Sequence, residues 1–277
     1  MHEWRFNKTV RLSIPNVIKA VALLGEAHRT LVRQAGFGIV FDLKLEKNVS
    51  RVLMCKLMGK IDPDTMRLDC GPNKVLGINR EVVHHIFDFP MGSHTAPRPA
   101  ASGHDDSLTN LKDELGFNRS RSIDAKDLLT LLRTLAADPG KVDKTVKVFF
   151  LIVFQCLLCP SPATRLSRVA AMVENLDIAS MASMDFCQLV VDELQAAVYK
   201  WNSIGSKQNC AEGCTIVLLF MYLDSLNLRK VSVMDKRTPR AAILSHVQLK
   251  KIHNADIVVR GKIHLDSYKF GKLPVSA

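Results

Sequence analysis

The run from Val142 to Leu158, VDKTVKVFFLIVFQCLL, constrains the fold more than any other segment. From Val148 onward it is apolar on every side except at Gln155, and Pro160 and Pro162 end it. It is too short for a bilayer, which needs about 20 apolar residues. A helix that is apolar all round has no face for water, so the rest of the chain must wrap it. A second such run, Gly213–Leu226, makes the same demand. A chain of 277 residues is long enough to bury both in one core.

Candidate wrapping helices follow from apolar spacing. Pro15 opens one in which Val17, Val21, Leu24, His28, Leu31 and Ala35 recur at steps of four and three, so one helix is predicted up to Gly36. Ile39–Leu45 fits either a short strand or a helical turn. Asn48 or Ser50 starts a helix through Leu57. Leu108–Leu115 is a short helix, and Asp124 caps a leucine-rich one that ends at Asp138-Pro139-Gly140. Thr164–Asn175 is amphipathic. Ser183 is placed as the cap of Met184–Lys200. Gly92–Ser107, with Pro97, Pro99 and Gly103, reads as a mobile loop.

Met66–Gly92, MRLDCGPNKVLGINREVVHHIFDFPMG, has a different texture. Met66–Cys70 and Lys74–Ile78 are short strand-like runs around a Gly71-Pro72-Asn73 turn. Asn79 can cap a helix with Glu81 in its first turn and Val82, Val83, Ile86 and Phe87 on one face. Phe89-Pro90-Met91-Gly92 stops it. The organisation predicted is mainly α: a multi-helix globular domain over residues 10–228 with one small β-hairpin, then a basic C-terminal extension over residues 229–277.

Charge is uneven. The net charge is +11, yet residues 229–277 hold eleven Lys or Arg against three Asp or Glu. A basic extension calls for an acidic partner such as nucleic acid, although a solvated charged face has the same composition. Arg229, Lys230, Lys236, Arg237, Arg240, Lys250 and Lys251 are the candidate phosphate contacts. With three Tyr and two Trp, base-stacking platforms are poorly supplied. Seven Cys at scattered spacings do not form a disulfide framework. The first fifteen residues lack the apolar stretch of a signal peptide, so an intracellular, reducing setting is expected, with no membrane.

Catalytic and metal-binding patterns are thin. Cys156-x-x-Cys159 and Cys210-x-x-x-Cys214 could offer four thiolates to zinc, but the first pair ends a very apolar helix, and core packing is the simpler reading. Asp69-Cys70-Gly71 resembles the nucleophile neighbourhood of ubiquitin-like-modifier proteases. In those enzymes His and Asp precede the Cys, and here only His2 and His28 do. His84 and His85 are adjacent on a helix and point apart, which suits surface histidines better than a metal site. No GxxxxGK[ST], GxGxxG, GxSxG or HExxH is present. No cofactor, metal or enzymatic activity is expected.

Met66–Gly92 resembles the hairpin-and-helix signature of the plant mobile domain, also called the aminotransferase-like plant mobile domain. The matching pieces are Val75-Leu76-Gly77-Ile78, Val82-Val83 and Phe87-Asp88-Phe89-Pro90-Met91-Gly92, with Asp88 where the family's ending starts with Gly. Pro162-Ala163-Thr164, Gly213-Cys214 with Tyr222-Leu223-Asp224, and Pro239-Arg240 resemble further family motifs. In place of the family's Trp, this chain has Asp185 before Phe186. The resemblance implies a helical, nuclear, transposon-derived domain that acts through a protein partner rather than by catalysis, and nothing here reads as a Lys set up for pyridoxal phosphate. Similar segments precede ubiquitin-like-protease domains in transposon-derived plant genes. An alternative role is therefore the partner-recognition module of such a cysteine protease without its catalytic domain.

Overall fold

A computed structural model describes residues 9–71, 74–99, 106–161, 166–174, 176–204, 210–226, 237–260 and 263–268. In chain order the elements are β1 (Thr9–Val10), α1 (Ile14–Ala22), α2 (Glu26–Gln34), α3 (Arg51–Met58), β2 (Ile61–Asp62), β3 (Arg67–Asp69), β4 (Val75–Gly77) and α4 (Arg80–Phe87). They continue with β5 (His94–Thr95), α5 (Asp106–Leu115), α6 (Ala125–Ala136), α7 (Val142–Val153), α8 (Leu166–Glu174), β6 (Met184–Asp185), α9 (Phe186–Ile204) and β7 (Cys210–Ala211). The last are α10 (Ile216–Ser225), α11 (Arg240–Ile243), α12 (His246–Asp256), β8 (Ile257–Arg260) and β9 (Ile263–Tyr268). The fold is mainly α, as predicted.

The Val142–Leu158 run is the centre of the molecule. Val148 to Phe154 are all fully buried, with α1, α2, α6 and α8 packed around α7. Its last turn widens, so that the Cys159 N–H donates to Phe154 O at 2.8 Å, five residues back. Phe37, from the turn after α2, is a hub of this core: its ring lies 5.3 Å from Phe150, 5.0 Å from Phe186 and 5.1 Å from Phe89. Edge-on contacts of this kind add to the burial of the rings themselves.

The predicted helix from Pro15 to Ala35 is two helices, broken at Gly25. The Gly25 N–H donates to His28 Nδ1 at 3.1 Å, which caps α2. Arg29 reaches back to the carbonyls of Leu24 at 3.0 Å and Val21 at 3.1 Å, satisfying the end of α1. This cap requires a neutral imidazole, and burial lowers the pKa of His28 from 6.5. Burial likewise lowers His253. Both side chains bind protons more readily unfolded than folded, so stability is full above about pH 7 and falls as the pH drops below 6.5. Glu193, whose pKa is raised by burial, pulls the opposite way. The urea midpoint is expected to decline between pH 7 and pH 5.5, and a His28→Gln, His253→Gln double variant should flatten that decline.

Between Met66 and Gly92 the predicted hairpin gains a third strand. β3 pairs antiparallel with β4 as expected and also with β2. The Lys74 N–H donates to Gly71 O at 2.9 Å to close the turn, whose Pro72 and Asn73 lie outside the described residues. Asn79 caps α4 by accepting from the Val82 N–H at 2.9 Å. Asp88 ends α4 in the left-handed region at φ 53°, the conformation that favours glycine, which the resembled motif has there. Ser183 does not cap the helix that follows. Asp185 does, accepting from the Gln188 N–H at 2.8 Å, and α9 runs on to Ile204. Part of the predicted mobile loop is ordered: β5 pairs in parallel with β6, while residues 100–105 lie outside the described set.

Residues 237–256 are not an appendage. Ala241, Leu244, Leu249 and Ile252 are buried, and the Tyr222 hydroxyl donates to Asp256 at 2.8 Å. The division drawn at residue 229 is thus no break in the packing for this stretch. β8 and β9 pair with each other as an antiparallel two-stranded sheet.

Candidate nucleic-acid interface

The seven basic residues proposed from sequence fall into three groups. Arg229, Lys230 and Lys236 lie outside the described residues. Arg237, Lys250 and Lys251 are exposed, the first before α11 and the other two on the solvent face of α12. Arg240 must be removed from the set. It is 1% exposed, its Nε donates to Asp224 at 2.7 Å and its Nη2 at 2.5 Å, and its Nη1 donates to the Arg237 carbonyl at 3.0 Å. A guanidinium held this way cannot reach a phosphate.

The structure adds a basic segment that no local sequence pattern links to α12. The Lys44 N–H donates to Ala241 O at 3.1 Å, and the His246 N–H donates to Lys44 O at 3.1 Å. The His246 ring Nδ1 lies 3.2 Å from Lys47 O. Residues 44–47 therefore run beside the start of α12. Lys44 and Lys47 are exposed there, as is Arg51 at the start of α3. Lys250 sits one turn beyond His246 on the same helix face. The surface is not uniformly positive, since Glu46 is exposed within it. Its apolar exposure is Val247, at 60%. Among the described residues the exposed large apolar side chain on α12 is Val247 and not an aromatic ring, which suits phosphate contact rather than base stacking.

The sulfur chemistry considered from sequence is set by burial. Cys70 is 1% exposed, and burial pushes its thiol up to about 11. Burial also pushes Cys156 and Cys214 up to about 12. Thiols so protonated are poor nucleophiles. Among the described residues no three His, Cys, Asp or Glu side chains are grouped as a metal would need. His84 Nδ1 lies 2.8 Å from Phe89 O and its Nε2 3.5 Å from Asp88, so its ring braces the end of α4. Cys210 is the half-buried cysteine of the described set. In the native protein it is expected to react first with a thiol reagent, with Cys70 and Cys156 protected until urea unfolds the chain. Mass spectrometry of peptides after brief alkylation checks this.

Residues 10–219 match the family model for a domain of unknown function, DUF8566. The chain belongs to the DUF8566 family. No curated protein matches the chain, and no solved structure does. The DUF8566 match covers the α7 core, the three-stranded sheet and the lysines at 44 and 47, and it ends within α10. The family description assigns no activity. No helix among the described residues is long and apolar enough to cross a membrane.

Proposed function

We propose that this DUF8566 protein is a non-enzymatic, nuclear interaction domain that contacts the phosphates of nucleic acid through the surface around α12. The observation that carries the reading is the juxtaposition of two basic stretches far apart in sequence: Lys44 and Lys47 beside His246, with Lys250 and Lys251 on the same helix. The charge of residues 229–277 adds to it. The likeness of Met66–Gly92 to the plant mobile domain supports a nuclear, transposon-derived origin. Burial of the Cys70 thiol counts against cysteine catalysis at that position.

The full chain, immobilised in nuclear extract, is expected to retain nucleic acid, and proteins bridged by it should be lost on nuclease treatment. Retention of no nucleic acid, with captured proteins indifferent to nuclease, contradicts the reading.

A further inference from the structure

The His246 ring sits where the two basic stretches meet, and one of its nitrogens is committed. Nδ1 lies 3.2 Å from Lys47 O, and a carbonyl oxygen can only accept, so Nδ1 carries the proton of this bond. The backbone ties the residue to the same segment, since the His246 N–H donates to Lys44 O at 3.1 Å. The two nitrogens of an imidazole point away from each other across the ring. Nε2 is therefore aimed away from Lys47 O, and it makes no hydrogen bond among the described residues.

The charged groups around the ring come from three elements. Lys44 and Lys47 lie on the packed segment, Lys250 and Lys251 on α12, and Arg51 at the start of α3, all exposed. Asp42 and Glu46 are the carboxylates of the packed segment, also exposed. None of these side chains is in an ion pair among the described residues. His253, two turns further along α12, is buried, and burial lowers its pKa.

In a neutral ring so held, Nε2 offers a lone pair, which a phosphate oxygen repels. In the imidazolium both nitrogens donate, so Nε2–H can bond a phosphate while Nδ1–H keeps Lys47 O. Imidazoles change between these forms within about pH 5 to 8. The N-terminal end of a helix favours an anion and disfavours a lone cation, so beside the first turn of α12 the ring's charge and a phosphate are expected together rather than the charge alone.

We propose that His246 is a phosphate contact that exists only in its protonated form, so that this surface takes up a proton as it binds nucleic acid and binds more tightly in mildly acidic solution. Lys47 O positions the ring. His246 has this role only if the α12 surface binds phosphates, as proposed above.

The test uses the full chain and a fluorescein-labelled duplex, with anisotropy read across a salt series at about pH 8 and about pH 6. The logarithmic salt slope of the wild type should be steeper at the lower pH by up to about 0.9, one added phosphate contact. His246→Gln should show one slope at both pH values, and His246→Arg the steeper slope at both. His85→Gln, which removes an exposed histidine of α4, should keep the wild-type difference. Thermal melts at each pH show which variants are folded. Calorimetry of the wild type at about pH 7, in two buffers of unequal protonation enthalpy, needs no variant, and net proton uptake on duplex binding is expected. Salt-dependent binding with one slope at both pH values, or no proton uptake, overturns the role of His246 and leaves the phosphate-contacting surface standing. A pH difference that survives His246→Gln assigns the proton elsewhere and also overturns it. No binding at either pH overturns both.

Discussion

Replacing Gly92 by alanine is expected to cost about 3 kcal/mol or more and to deplete the folded protein. A Cβ at this position would stand 2.0 Å from Ser183 O and 2.1 Å from its carbonyl carbon, with Met184 N at 2.8 Å. These are backbone atoms, so no side-chain rotation relieves the clash. The approach is this close because Phe89–Gly92 is the seam between α4 and α9. Pro90 O accepts from the Phe186 N–H at 3.0 Å and the Cys187 N–H at 3.2 Å, and the Gly92 N–H donates to Met184 O at 3.1 Å. Moving the seam would also disturb Phe89, which stacks on Phe87 at 4.9 Å and meets Phe37. Gly77→Ala is the control. Its Cβ meets nothing within 4 Å, so its effect should stay within about 0.5 kcal/mol. Urea denaturation of the two variants beside the wild type measures the difference. Equal midpoints would show that the seam is not as tight as described.

Arg240→Met is the second large effect. Loss of one member of a buried ion pair costs about 3–5 kcal/mol, since the other charge is left uncompensated. The lower end, about 3 kcal/mol, is expected here because Asp224 keeps a quarter of its side chain in water, at 25%. The pair joins α10 to α11, and α11 in turn positions residues 44–47 through the Lys44 bond to Ala241. Lys250→Gln and Lys251→Gln should each shift stability by less than about 0.5 kcal/mol, as exposed positions do. A thermal melt that drops for Arg240→Met and holds for the two lysine variants separates a structural arginine from solvent-exposed lysines. An unchanged melt for Arg240→Met contradicts the burial on which that distinction rests.

These two positions also mark how far the sequence could be read. The FPMG ending was legible as a stop because Pro and Gly cannot continue a helix. That its glycine touches Ser183 was not, since a partner ninety-one residues away leaves no local pattern. Arg240 was misread because arginine is normally a surface residue, and nothing in PRAAI points to Asp224, sixteen residues earlier. The buried α7 and the Asn79 cap were legible, one from composition and the other from a short-range bond. The break at Gly25 was hidden because the apolar spacing runs through it in phase, while the bonds that end α1 come from the Arg29 side chain. β2 is two residues long, too short to show a period. The basic surface was half legible. Lys250-Lys251 stands out in the sequence, whereas the place of Lys44 and Lys47 beside His246 follows from tertiary hydrogen bonds.

The reading of this protein as a phosphate-contacting domain is tested most directly by titrating the purified full chain onto a labelled duplex and onto a labelled single strand across a salt series. Affinity should fall linearly with salt on logarithmic axes. Each lysine that contacts a phosphate adds about 0.9 to the slope on duplex and about 0.7 on a single strand. Lys47→Gln and Lys250→Gln should each lower that slope by about one such increment without altering the melt. Binding that ignores salt, a slope unmoved by either substitution, or no binding at low salt would contradict the account.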